Sequence, residues 1–127
     1  MARSLLISTL VALVTAAWSI PAMAGDAAKG KKVFKSKTCA ICHTVVKGKK
    51  KMTGPNLFGV IGRKAGTHES YRRFTKALKK SGLVWDEKNL DTFLKNPKKM
   101  VKGTMMQVRL TKKADRDNVI AYLKTLK

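Results

Sequence analysis

Acidic residues are scarce in this chain. Seven Asp and Glu face 28 Lys and Arg over 127 residues, a formal net charge of +21. A charge of that size repels copies of the chain from one another and draws it towards acidic surfaces, and it says nothing about fold. Strand signals are also missing. No segment alternates apolar and polar residues between turn signals, so folds built on strands alternating with helices are disfavoured. There is no internal repeat and no low-complexity linker. Cysteine is limited to Cys39 and Cys42. A disulfide across two intervening residues closes a tiny loop and would stabilise the fold little, so the pair needs another explanation. After residue 24 no apolar run approaches the roughly 20 residues that span a bilayer.

The apolar run the chain does have lies at its start. Arg3 supplies a positive n-region, residues 5–20 are almost wholly apolar and uncharged, and Ala22-Met23-Ala24 offers a signal-peptidase site. The run is short for a membrane anchor and Pro21 follows it directly. The expected organisation is a cleaved signal peptide at 1–24, then one domain at 25–127. Export implies an oxidising compartment, here the periplasm. Arg3 is the only charge lost on cleavage, so the mature domain stays strongly basic. An exported protein rarely meets nucleic acid. A nucleic-acid binder would also gather its lysines with aromatics along one stripe, whereas here they fall on helices and loops alike.

Four helices are predicted. The first covers about 26–37, started by Asp26, with Val33 and Phe34 on its apolar face. Gly30 costs that helix about 1 kcal/mol relative to Ala, which suggests that another backbone passes close by. The second covers about 71–80, capped by Ser70 and ended by Gly82. The third starts at Asp86, buries Leu90, Phe93 and Leu94, and stops before Pro97. The fourth starts near Thr111 and carries the clearest stripe in the chain, Val119, Tyr122, Leu123 and Leu126. Long loops at 44–68 and 97–110 remain. Short helices and long loops make a poor core at this size, and a buried cofactor around which the loops wrap would supply one.

Cys39-Ala40-Ile41-Cys42-His43 is the attachment signature for that cofactor, a c-type haem. Two intervening residues let one turn of chain present both thiols to the two vinyl groups of a porphyrin edge. The histidine that follows lies under the ring with its imidazole towards iron. A thioredoxin-like redox pair would need strands. A zinc site would need four ligands, and only His43 and His68 remain as good donors. With His43 as proximal ligand, the sixth position decides between electron transfer and gas or peroxide chemistry. The candidates are His68, Met52, Met100, Met105 and Met106. Met105 and Met106 stand in Gly103-Thr104-Met105-Met106, inside the second long loop, and a soft thioether favours Fe(II). His68 lies in a polar stretch and reads as a surface histidine.

Over residues 25–127 the sequence resembles class I cytochrome c, the group of mitochondrial cytochrome c and its soluble bacterial relatives. The resemblance rests on Gly30-Lys31-Lys32-Val33-Phe34, the haem motif, Thr53-Gly54-Pro55-Asn56-Leu57, Gly62-Arg63-Lys64, Trp85, Asn96-Pro97-Lys98-Lys99, the Gly-Thr-x-Met at 103–106, and Ile120-Ala121-Tyr122-Leu123. It implies an all-α cytochrome c fold, short helices and long loops around one covalently bound haem c. Cys39 and Cys42 would form the thioethers, and His43 and Met106 the axial iron ligands. The carbonyl of Pro55 would accept the proton of His43, and Arg63 and Trp85 would lie near a propionate. Gly30 and Phe34 would cross the last helix near Tyr122. Three residues depart from the family pattern: Lys102 where proline is usual, Phe93 where a tyrosine often bonds the methionine sulfur, and Leu78 for a common asparagine. The implied function is that of a monomeric one-electron carrier, not an enzyme. It would shuttle electrons between acidic docking surfaces of periplasmic or membrane redox complexes: a quinol-oxidising complex, a terminal oxidase, a photosynthetic reaction centre or a dehydrogenase. Any membrane contact would be weak attraction to anionic lipid. The alternative is a haem protein with a labile sixth site that works on peroxide or binds gas.

Overall fold

The computed structural model describes residues 25–50 and 53–127. The expected signal peptide at 1–24 and the candidate ligand Met52 lie outside the described residues. Within them the chain is helical and forms no strand, with one isolated antiparallel bridge between Lys64 and Val84.

Six helices appear in order: α1 (Ala27–Ser36), α2 (Cys39–Cys42), α3 (Lys76–Lys80), α4 (Glu87–Lys95), α5 (Pro97–Met100) and α6 (Lys113–Lys124). The carboxylate of Asp26 caps α1 by accepting from the Lys29 amide at 3.0 Å. Asp86 caps α4 in the same way through the Asn89 amide at 2.7 Å. Each supplies an acceptor to an N–H with no partner inside its helix. α4 ends before Pro97 as expected, and Pro97 then opens α5. A proline costs nothing at the first helical position, where its missing N–H would be unpaired anyway.

The second predicted helix is much shorter than expected. It begins at Lys76, capped by Thr75, whose hydroxyl accepts from the Leu78 amide at 3.3 Å. Ser70 is spent elsewhere, its hydroxyl 2.9 Å from Nδ1 of His68. The Tyr71 hydroxyl donates to the carbonyl of Thr53 at 3.1 Å, and its ring meets Phe74 edge-on at 4.8 Å. Residues 70–74 therefore run as a strap towards the loop at 53 rather than as a helical turn.

The frame is the crossing of α1 and α6. A Cβ on Gly30 would lie 1.9 Å from the carbonyl oxygen of Asn118 and 2.8 Å from Cβ of Tyr122. Phe34 meets Tyr122 edge-on beside that point, with ring centroids 5.9 Å apart. The Asn118 side chain also accepts from the Asp26 amide at 2.8 Å. The inferred close backbone is thus α6, and the glycine lets the helices touch. Val33, Phe34, Val119, Ile120 and Leu123 bury the contact and join Leu90, Phe93 and Leu94 of α4 in one core. On the other side of that core the loops close around an open space.

Candidate haem site

That space is a cavity of ≈ 330 Å³, lined among others by Cys39, Cys42, His43, Pro55, Trp85 and Met106. Six of the seven residues singled out by the motif and the family pattern therefore meet in one place. Its other walls are mainly apolar, with Phe34, Leu78, Leu90 and Leu94 among them.

The attachment motif forms its own short helix, which the sequence reading had not separated from the turn after α1. Thr38, just before Cys39, sits in the left-handed region at φ 66°, and its hydroxyl bonds the carbonyl of Lys37 at 2.6 Å. A β-branched residue held there is strained. The strain reverses the chain at the end of α1, so that α2 starts at once and delivers both cysteines to the cavity wall. Cys39 is 8% exposed. Burial, and then the proximity of Cys42, push its thiol pKa up. A thiol held protonated makes a poor redox nucleophile, which weighs against a thioredoxin-like role. The described residues also gather no cluster of three or more His, Cys, Asp or Glu side chains, so a zinc site finds no ligand set.

His43 follows α2 in extended conformation, its amide still bonded to the carbonyl of Cys39 at 2.9 Å. Its Nδ1 lies 2.8 Å from the Pro55 carbonyl oxygen. A carbonyl only accepts, so Nδ1 donates its N–H, which in the neutral ring leaves the lone pair on Nε2. Gly54 makes the approach possible: a Cβ there would stand 2.7 Å from Cε1 and 2.9 Å from Nδ1 of the ring. A neutral imidazole with a fixed tautomer, two thiols one turn apart and a largely apolar cleft are the donor set that a covalent haem requires, so these residues fit the group.

The two adjacent methionines both line the cavity and differ in exposure. Met105 is 73% exposed, whereas Met106 is half-buried and packs against the core. Trp85 is buried against Phe93, ring centroids 4.9 Å apart. Arg63 does not line the main cavity. Its guanidinium donates to the carbonyls of Asn56, at 2.8 Å, and Phe58, and it borders a small side pocket of ≈ 30 Å³ that shares Pro55 and Trp85 with the main one. His68 lies on that side pocket, where burial and then the nearby Arg63 charge lower its pKa. Sequence reasoning missed Tyr71, Arg73 and Phe74 as cavity-lining residues. The signal was present in Tyr71 and Phe74, two aromatics at a spacing taken for helix.

The acidic residues are segregated. The four ion pairs among the described residues all involve α6 or join it to its neighbours: Lys37–Asp115, Lys113–Asp117, Arg116–Asp91 and Lys124–Glu87. Of the seven acidic residues, only Glu69 lies away from α1, α4 and α6.

The family model for cytochrome c matches residues 27–127. Among curated proteins, cytochrome c of Theileria annulata is 50% identical over 101 residues, covering 79% of this chain and 85% of that protein. Cytochrome c2 of Rhodomicrobium vannielii is 46% identical over 119 residues, covering 91% and 93%. Among solved structures, cytochrome cH from Methylobacterium extorquens superposes with a TM-score of 0.72 at 46% identity, over 80% of this chain and 99% of that one.

Proposed function

This chain belongs to the cytochrome c family and is thus an electron-transfer protein with covalently attached haem c, and from that premise we propose that it shuttles single electrons in the periplasm with His43 and Met106 as axial ligands. The observation that carries the reading is the convergence of Cys39, Cys42, His43, Pro55 and Met106 on one apolar cavity.

When bound, the haem supplies an Fe(III)/Fe(II) couple. The protein's part is to keep that couple attached, dry and little changed between states. Cys39 and Cys42 would hold the haem covalently, each S–H adding across one vinyl group so that two thioethers replace two thiols. The Pro55 carbonyl fixes the tautomer of His43 and raises its basicity. Met106, on a loop packed against the core, supplies the soft ligand that favours the reduced state. The apolar walls favour the less charged oxidation state in the same direction. Arg63, bordering the side pocket, would neutralise a propionate, and the indole N–H of Trp85 would donate to one. With His43 and Met106 both kept in the two oxidation states, reorganisation would be small.

The large surplus of basic residues would steer the protein onto acidic docking surfaces. Complementary charge speeds encounter and still allows release. The partners fitting this are periplasmic or membrane redox complexes, a respiratory chain among them, met by a monomer. Residues 1–24 serve as a signal peptide cleaved after Ala24.

Carbon monoxide added to the reduced protein tests the reading against gas or peroxide chemistry at a labile sixth site. An electron carrier with Met106 in place leaves its reduced spectrum unchanged. Rapid, stoichiometric CO binding at neutral pH would overturn it.

A further inference from the structure

Arg116 is the one charged residue buried among the described residues, 4% exposed. Nothing in the electron-transfer reading uses it. Burying a guanidinium is expensive, and an apolar side chain of similar volume usually serves stability as well or better. Its bonds show what an apolar residue could not do. Nε donates to Asp91 of α4 at 2.7 Å, and one terminal nitrogen donates to the carbonyls of Leu110 and Thr111, each at 2.9 Å. Leu110 and Thr111 are where the methionine loop ends and the approach to α6 begins.

The loop is fastened at its two ends and little between. At the near end Thr104 is buried, its amide bonded to the Val101 carbonyl at 3.1 Å, beside the exposed Lys102. At the far end Leu110 is 3% exposed and its amide donates to the Leu94 carbonyl at 2.8 Å. Between them Met105, Gln107 and Arg109 are exposed, and the Met106 amide makes only a long bond, 3.4 Å, to the Thr104 hydroxyl. We propose that Arg116, oriented by Asp91, is a positioning residue for Met106: it clamps two successive carbonyls at the far end of the loop and so sets how often the loop opens and releases the sulfur. The proposal rests on the reading of Met106 as the axial ligand. Lysine cannot replace the clamp, because one ammonium lacks the planar fork that reaches a carboxylate and two carbonyls together.

The test uses the haem-loaded protein and three variants: Arg116→Lys, Asp91→Asn, and Asp117→Asn as a control that breaks an ion pair of α6 without touching the loop. Two quantities are read: amide exchange of residues 104–110 against that of α1, and the rate at which imidazole binds the oxidised protein, which opening of the loop limits. Arg116→Lys should speed both loop exchange and imidazole binding about tenfold, as expected for loss of a charge-assisted hydrogen bond. Asp91→Asn should do so severalfold, Asp117→Asn not at all, and α1 should lag in every case. Exchange that rises equally in the loop and in α1, or imidazole binding at the wild-type rate in both clamp variants, overturns the clamp. Should Arg116→Lys fail to fold, Asp91→Asn carries the comparison. A wild-type spectrum without a sulfur-to-iron band would instead defeat the Met106 assignment. Loop exchange in the variants would still decide whether Arg116 holds the loop.

Discussion

Replacing Gly30 with alanine tests the framework on which the site is hung. An alanine Cβ would stand 1.9 Å from the Asn118 carbonyl oxygen and 2.5 Å from its carbon. An ordinary C···O contact is about 3.3 Å, so α1 and α6 would have to part by about 1.4 Å or shear past each other. Both contact atoms are backbone of α6, so no side chain can rotate away. Parting the helices by even half that distance forfeits a quarter or more of each dispersion contact across the seam. The edge-on pair of Phe34 and Tyr122, worth about 1 kcal/mol, loosens as well. Overpacking of this kind costs about 1–3 kcal/mol. Against it, alanine gains the helix about 1 kcal/mol over glycine. The net loss is about 2 kcal/mol, which for a domain of this size lowers the melting temperature by about 10 °C. Thermal unfolding of the haem-loaded variant, followed by far-ultraviolet circular dichroism, measures it. A variant as stable as the parent, or more so, would show that the seam yields freely and that Gly30 is not there for the crossing.

Other consequences concern the site and its surface. Gly54→Ala should press on the His43 ring and weaken its bond to Pro55, making the ligand less basic and Fe(III) less favoured. Losing part of a bond worth about 1 kcal/mol should raise the midpoint potential by about 20–40 mV, and electrochemistry that finds it unchanged or lowered refutes the second-sphere role. The pKa of His68 is held below its ordinary value of 6.5, first by burial and then by Arg63. The unfolded chain therefore takes up its proton first on acidification. Stability from this residue is full above about pH 6.5 and is lost as pH falls through the folded value. Parent and His68→Gln should thus diverge in unfolding midpoint below about pH 6.5, the parent losing more, and parallel curves would contradict the assignment. Electron exchange with an acidic redox partner should slow severalfold between about 0.05 and 0.5 M salt, as screening shortens the reach of the lysines, and a rate indifferent to salt removes steering from the account.

How much of this could be read beforehand depended on whether the deciding contact was local. Caps and periodicity marked α1, α4 and α6 to within a residue or two, because Asp26 and Asp86 act on amides three residues away and the apolar stripe of α6 needs only its own helix. The attachment motif was legible for the same reason, since its chemistry is fixed by spacing. Gly30 announced a partner through its cost, and the family resemblance, not the local pattern, named the last helix as that partner. The segment at 70–80 misled because Ser70 is a good cap by type. Its hydroxyl goes to His68 and Tyr71 reaches Thr53, contacts that no local pattern reveals. Arg116 was invisible as a functional candidate. In sequence it is one more basic residue in a very basic chain, and only the fold removes it from water and sets it against Leu110 and Thr111. The choice between Met105 and Met106 came from the family pattern. In the fold both line the cavity, Met105 largely exposed and Met106 half-buried against the core.

The most direct test of the central claim is the near-infrared absorption of the oxidised protein, compared across the parent, Met106→Leu and Met105→Leu. The account predicts a weak sulfur-to-iron charge-transfer band in the parent, its loss in Met106→Leu and its retention in Met105→Leu. A band that survives Met106→Leu, or a parent that never shows one, would contradict His43 and Met106 as the axial pair.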